Sequence, residues 1–254
     1  REALANLVYA ARSQKGMVLI TGEIGMGKTT TSYFLESRIN DVAKIVAIRS
    51  VPSTPKQLLW QVADELNLSP APSLTRGELL RMVRSELMRQ RDQKRTVLLI
   101  IDEAQALPLQ VLDEVRLLSN METATHKLLQ ILLIGQSELR EILQLPKLEP
   151  LRQRIVLAHH INPLSLENTR RYVEHRIKRA SGVQPPAVSF TDEAIRQVYE
   201  LSSGIIRQIN VVCDKALLIA SVRKTNVIGI EEISEAVLPM VGPDTAGTVW
   251  SNET

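Results

Sequence analysis

Aromatic residues make up only 3% of the 254 residues. The interior therefore has to be built from Leu, Ile, Val and Ala, and aromatic platforms for stacking single-stranded bases are missing. A single cysteine, Cys213, excludes an internal disulfide and any cysteine-based metal cluster. It stands in the apolar run Ile209-Asn210-Val211-Val212-Cys213 and reads as a small core residue rather than a reactive thiol. A reducing, cytoplasmic setting is the simplest expectation. No apolar run reaches about 18 residues, so no membrane-spanning helix is expected. No basic-then-apolar signal opens the chain either. It begins Arg1-Glu2-Ala3, without methionine, and reads as a segment of something longer. The histidines form no site: His159 and His160 are neighbours in an extended stretch and face opposite ways, and His126 and His175 read as surface residues. Ser-His-Asp and Cys-His arrangements are not visible.

What is present is the balance of a soluble globular protein, with 44% apolar and 23% charged residues. The length suits one α/β domain and a small accessory domain. A net charge of +3 is mildly basic and does not by itself demand nucleic acid.

Leu4, Leu7, Val8 and Ala11 recur at helical spacing and predict a helix over residues 2–12. Met17 to Ile20 is apolar without alternation, as in a parallel strand buried on both faces. A glycine-rich turn and a helix from Lys28 to Arg38 follow, then a strand over Ile45 to Ile48. Pro55 suits the first turn of the next helix. Thr75 and Glu78 form a capping box that opens a helix to about Arg91. Val97 to Ile101 is a third strand, Pro108 to Ser119 a helix, Leu128 to Ile134 a fourth strand, and Ile155 to Leu157 a short fifth. Strands alternating with helices predict a parallel sheet with right-handed crossovers. After Pro163 helices follow one another: Ser165 to Ala180, Thr191 to Ser202, Ile205 to Val222 and Ile230 to Val237. The expected organisation is an α/β domain over residues 1–163, a helical domain over 164–238 and a linker or tail over 239–254.

Gly22-Glu23-Ile24-Gly25-Met26-Gly27-Lys28-Thr29 fits the phosphate-loop pattern G-x-x-x-x-G-K-[ST] in full, between a buried strand and a helix. Glycines let the backbone wrap close enough for its N–H groups to reach phosphate oxygens. The helix N-terminus, from Lys28 through Thr30, adds partial positive charge. In this reading Lys28 binds the β- and γ-phosphates of ATP, and the Thr29 hydroxyl ligates Mg²⁺. The second run is Val97-Leu98-Leu99-Ile100-Ile101-Asp102-Glu103. Two carboxylates ending a buried strand are costly unless they serve something, and the carboxyl end of a parallel strand faces the ligand crevice. Asp102 would hold Mg²⁺ and Glu103 would polarise the attacking water. The chain between the two motifs holds a helical excursion and a strand, a spacing that suits a sheet with an inserted strand.

Beyond these motifs, Thr21-Gly22-Glu23, Ile101-Asp102-Glu103-Ala104-Gln105, Leu117-Leu118-Ser119-Asn120, Gln130 to Gln136, Leu151 to Ile155 and Gly204 to Asn210 resemble AAA+ ATPases, and more narrowly the ExeA-type family of general secretion pathway proteins. The resemblance covers roughly Glu2 to Val237. It implies a P-loop NTPase fold with a parallel five-stranded sheet flanked by helices, plus a small C-terminal helical lid. It also implies a homo-oligomer acting on a protein partner in secretion or envelope assembly. Gln136 falls where the family carries a polar residue that senses the γ-phosphate. Arg154 falls where it carries an arginine that reaches a neighbour's nucleotide, with Arg152 and then Arg116 as alternatives. Arg207 falls on the lid arginine of the family's Gly-x-Pro-Arg, although isoleucine stands here in place of proline. The family's adenine-pocket segment would precede Arg1, so no adenine contact is assigned. Relatives often continue into a membrane span, which would tether such a segment to the inner membrane.

Two other readings compete. A DNA-transposition or DNA-loading ATPase shares this core. Arg76 to Arg95 holds seven basic and three acidic residues, and Glu167 to Arg179 five and two. Solvated faces of amphipathic helices explain both stretches, so duplex DNA is the less favoured partner. A nucleotide switch or scaffold without turnover is the other reading, and the complete set Lys28, Asp102 and Glu103 argues against it.

Overall fold

The apolar runs assemble into one parallel sheet in the computed structural model, which describes residues 16–39, 43–123, 126–182 and 187–237. The helix expected over residues 2–12 and the tail expected over 239–254 lie outside the described residues. The chain divides into two compact units, one ending at Ile161 and one starting at Asn162.

In the first unit, β1 (Met17–Gly22) leads into α1 (Lys28–Ile39). Then come β2 (Ala43–Ile48), α2 (Pro55–Glu65) and α3 (Arg76–Asp92). Strand β3 (Thr96–Ile101) precedes α4 (Leu109–Ser119), and β4 (Leu129–Gly135) precedes two short helices, α5 (Glu138–Ile142) and α6 (Glu149–Arg152). Strand β5 (Ile155–Ile161) closes the unit. The sheet order is β2-β3-β4-β1-β5, and every pairing is parallel. The inserted strand is therefore β4, which separates β1 from β3.

Strands β1 and β4 are buried along their whole length. Their side chains alternate between two layers, as the two-residue period of a strand requires. Met17, Leu19, Leu99, Ile101, Ile131 and Leu133 face the core shared with α2, α3 and α4. Val18, Ile20, Leu98, Ile100, Leu132 and Ile134 face the layer completed by Leu35 and Ile39 of α1. Both faces are covered, so the strands read as continuous apolar runs. Strand β5 is an edge strand and runs to Ile161, four residues past the expected Leu157. Its side chains are only partly buried, so His159 and His160 are tolerated there. The His160 Nδ1 sits 3.0 Å from Thr21 Oγ1 on the neighbouring strand.

The Thr75 capping box forms as expected, with its side chain and that of Glu78 each bonded to the other's backbone N–H. Two of the basic residues on α3 are taken up locally. Arg76 pairs with buried Glu114 of α4 at 2.7 Å, and Arg89 with buried Glu86 at 2.7 Å.

In the second unit, α7 (Leu166–Ala180), α8 (Asp192–Ser202), α9 (Ile206–Arg223) and α10 (Ile230–Val237) enclose Val173, Ile195, Val198, Ile209, Ala216 and Ile233. Ser165 and Thr191 cap α7 and α8, accepting from the N–H groups of Asn168 and Ala194. Between the helices, β6 (Ser189–Phe190) pairs in parallel with β7 (Val227–Ile228). Two-residue strands carry no periodicity, so the sequence reading passes over them. On α7, Arg170 pairs with Asp192 and Arg171 with Glu167. Cys213 is buried as expected and lines an apolar cavity of about 310 Å³ with Tyr172, Val173, Phe190 and Leu217. Desolvation pushes its thiol up to about 12.

Candidate nucleotide site

The carboxyl ends of β1, β4 and β3 lie side by side, so the loops that leave them converge. After β1 the chain turns at Glu23-Ile24-Gly25 and enters α1 at Lys28. Gly25 and Gly27 have φ of 82° and 78°, the left-handed region that glycine enters without a steric penalty. Gly22 passes so close to β5 that a Cβ there would stand 3.0 Å from the Ile161 carbonyl oxygen. Met26 is buried and anchors the turn, while Ile24, Thr29 and Thr30 are exposed. The first-turn N–H groups of a helix have no acceptor within it. Such groups at the start of α1 suit anionic oxygens.

Lys28 is buried, and its Nζ donates to the carbonyl oxygens of Gly22 at 2.8 Å and Glu23 at 3.0 Å. The ammonium is thus held against the loop at its mouth. The Thr29 hydroxyl donates to Asp102 Oδ2 at 2.9 Å. Residues from two separate motifs therefore meet across the end of β4's neighbours. Asp102 is 8% exposed, and its Oδ1 accepts from the Glu103 N–H at 2.9 Å. Glu103 has φ 53° and ψ 38°, a left-handed conformation that is strained for a residue with a Cβ. Such strain clusters at functional positions.

Gln136 follows β4 immediately and lies between the two motifs because β4 lies between their strands. Its Nε2 is 3.4 Å from Glu103 Oε2. Two residues not assigned a role from sequence join the group. Gln105 donates from Nε2 to Glu103 Oε2 at 2.6 Å and accepts from the Gln136 N–H at 3.0 Å. Ser137 donates to Glu23 Oε1, tying the loop after β4 to the loop after β1. Nothing in composition or spacing marks Ser137. The run Asp102-Glu103-Ala104-Gln105 includes Gln105, but the direction of its side chain depends on the turn that follows β3.

The expected arginines stand elsewhere. The Arg154 carbonyl oxygen accepts from the Met17 N–H at 3.4 Å, so Arg154 lies at the amino end of β1. A six-residue strand spans about 20 Å, which separates this exposed arginine from its own chain's loop. Arg152 donates to Gln144 and Arg116 pairs with Asp113. Arg207 is exposed on the first turn of α9 in the second unit.

The donor set fits a hard divalent cation. Thr29 and Asp102 offer a neutral oxygen and a carboxylate oxygen at one spot. Mg²⁺ commonly takes one or two protein oxygens and fills its octahedron with phosphate and water. Among the described residues no group of three or more His, Cys, Asp or Glu gathers for a protein-only metal cage.

The sequence profile of the family described as AAA domain matches residues 11–143. General secretion pathway protein A of Aeromonas hydrophila is 38% identical over 251 residues, 99% of this chain. The chain spans 45% of that protein's length. Among solved structures, Cdc6p from Pyrobaculum aerophilum has a TM-score of 0.70 at 16% identity, covering 94% of this chain and 66% of that one. The Aeropyrum pernix ORC1 protein in complex with DNA has 0.67 at 18%, covering 94% and 65%. The Thermotoga maritima RuvB Holliday junction branch migration motor has 0.57 at 15%, covering 94% and 69%. At such identities these structures share the fold and nothing more is carried from them. The five-stranded parallel sheet, the phosphate-loop pattern after β1 and the profile match make this chain a member of the AAA family of ATPases, related to general secretion pathway protein A.

Proposed function

We propose that this segment binds Mg-ATP and hydrolyses it to ADP and phosphate, and that turnover drives assembly or remodelling of a protein partner. The observation that carries the reading is the 2.9 Å bond between Thr29 and Asp102, with Lys28 and Glu103 on either side. A bound Mg²⁺ would supply positive charge against the negative charge that develops on the phosphates. Thr29 and Asp102 would hold that ion, Asp102 through water. Lys28 would leave the Gly22 and Glu23 carbonyls for the β- and γ-phosphate oxygens, which offer its ammonium a full negative charge. Gly22 through Thr30 would wrap the phosphates with backbone N–H groups. Glu103 would orient the attacking water and take its proton. Gln136 would report the γ-phosphate.

Arg154 stands too far from its own loop to act there, which favours action on the nucleotide of a second copy. A fixed planar guanidinium suits the charge of a phosphoryl group in transfer. Arg207 would add a second contact from the helical unit. The relation to general secretion pathway protein A supports a partner in secretion or envelope assembly. Among the described residues no helix is long and apolar enough to cross a membrane.

Two substitutions test the reading. Lys28→Ala should lose most ATP affinity in a fluorescent-nucleotide titration, and unchanged binding would sink the phosphate assignment. Glu103→Gln should keep the affinity and lose about a hundredfold or more in turnover, the usual scale for removing a catalytic base. Adding duplex DNA at low salt to the turnover assay separates the partner classes. A rate per subunit that ignores DNA and climbs with protein concentration supports an oligomer of the secretion type.

A further inference from the structure

Gln105 belongs to neither phosphate-binding motif, yet its side chain joins the two loops that matter for hydrolysis. It sits in the short turn Ala104–Ala106 directly after β3. One end of its amide donates to the Glu103 carboxylate at 2.6 Å, and the other accepts from the Gln136 backbone N–H at 3.0 Å. The orientation of the amide follows from its surroundings. Turned over, it would set an oxygen against a carboxylate and an NH₂ against an N–H, two repulsive contacts. The bridge spans the β3 loop and the end of β4, and it needs the space beside Gly135. A Cβ on Gly135 would stand 2.9 Å from Gln105 Oε1 and 2.7 Å from Leu139 Cδ2. Glycine at this position leaves the path open.

The contacts on Glu103 are uneven. Gln105 holds Oε2 with a short bond to a charged acceptor, the stronger class of hydrogen bond. The Gln136 side chain reaches the same oxygen only at 3.4 Å. Gln136 can therefore leave Glu103 at small cost, whereas Gln105 keeps hold of it. With Oε2 engaged by Gln105, Oε1 is the oxygen that would accept from the attacking water. A glutamate on a left-handed backbone has side-chain rotations to lose before it points one way, and a short bond to a neighbouring turn removes them.

We infer that Gln105 is a positioning residue for ATP hydrolysis. It fixes the Glu103 carboxylate and ties it to the backbone at the end of β4, so the base stays in place when the Gln136 side chain turns toward a γ-phosphate. The inference rests on Glu103 being that base. No contact of Gln105 with nucleotide is required.

The test is single-turnover and steady-state hydrolysis of radiolabelled ATP by the full chain, with four variants. Gln105→Leu removes both arms of the bridge at similar volume. Gln105→Glu keeps an acceptor for the Gln136 N–H and sets an acceptor against Glu103. Glu103→Gln removes the base, and the Gln105→Leu/Glu103→Gln pair closes the cycle. Displacing a reacting group by about 1 Å lowers rates by about a hundredfold. Gln105→Leu and Gln105→Glu should each lower kcat on that scale while KM and the affinity for a fluorescent ATP analogue stay within about twofold. In the Glu103→Gln background, Gln105→Leu should add no further loss, because it acts only through Glu103. A structural role would instead raise KM, and its loss would multiply with that of Glu103→Gln. Multiplying losses, or a wild-type kcat in Gln105→Leu, overturns the inference. A wild-type rate in Glu103→Gln alone overturns the base assignment itself, and this reading falls with it.

Discussion

Gly204 lies in the short link between α8 and α9, the helix that carries Arg207. Its φ is +76°, and a Cβ built on it would stand 2.0 Å from the Leu164 carbonyl oxygen and 2.8 Å from the Leu164 nitrogen. Both atoms are backbone, so no side chain can rotate away. Gly182 offers a control within the same unit, with φ +65° and nothing within 4 Å of its Cβ position. Alanine in the left-handed region costs roughly 1–2 kcal/mol, and its stiffer unfolded chain returns roughly 0.5–1 kcal/mol. Gly182→Ala should therefore destabilise by about 1 kcal/mol or less. Gly204→Ala carries the same strain and must also push the backbone apart by about 1 Å. That movement strains the 2.9 Å bond from the Leu164 N–H to the Gly204 carbonyl, worth about 1 kcal/mol net. Loosened packing around residue 164 adds a similar amount, for a total of about 3 kcal/mol. Hydrogen exchange followed by mass spectrometry on peptides from α7 to α9 reads these energies locally. Protection should fall about fivefold in Gly182→Ala and about a hundredfold or more in Gly204→Ala, at about 1.4 kcal/mol per tenfold. Equal losses in the two variants would refute the argument that backbone contact, rather than strain, makes Gly204 glycine.

Ile206 occupies the first position of α9 and follows Ile205, whose φ of −77° and ψ of 118° are extended. Both conditions admit proline, so Ile206→Pro should keep or raise the unfolding midpoint, and a fall of several degrees would contradict the geometry. At pH 8 the Cys213 thiolate should be about a thousandfold scarcer than in an unconstrained chain, since its thiol is moved from 9.0 to about 12. A thiol-reactive dye should label the folded protein slowly and the urea-unfolded protein fast, and equal rates would deny the burial. The linked stability is intact below pH 9 and declines as pH rises toward 12, because only the unfolded chain ionises in that window. Arg154→Ala should bind ATP as wild type does and lose turnover, and mixing it with Lys28→Ala should restore part of the rate. Wild-type turnover in Arg154→Ala would remove the trans role.

The features legible in sequence are those whose cause is local. A strand buried on both faces has to be apolar at every position, so β1, β3 and β4 stand out as runs. A capping box is a four-residue pattern, and Thr75 with Glu78 opens α3 where it should. The phosphate loop needs glycine at set intervals whatever surrounds it. Edge strand β5 has no such obligation, because none of its side chains is fully buried, and its last four residues therefore look like loop. Helices α5 and α6 are too short to show a period, and β6 and β7 exist only by pairing with each other across the sequence.

The same division runs through the site. Lys28, Thr29, Asp102 and Glu103 sit in motifs whose backbone requirements are written beside them. Gln105 and Ser137 gain their contacts only after β4 is placed between β1 and β3. An inserted strand could be expected from the chain between the motifs, but which strand fills the gap is a property of the sheet. Once β4 fills it, Gly135 faces Thr21 in register, and the next residue, Gln136, arrives beside the turn after β3. The glutamine of that turn then has one oxygen to bond and one N–H to satisfy within reach. The amide contacts between the two loops are thus a consequence of strand order, and a substitution that shifted the β3–β4 register, in which Ile101 faces Leu133, by one residue would break them while leaving both motifs unchanged.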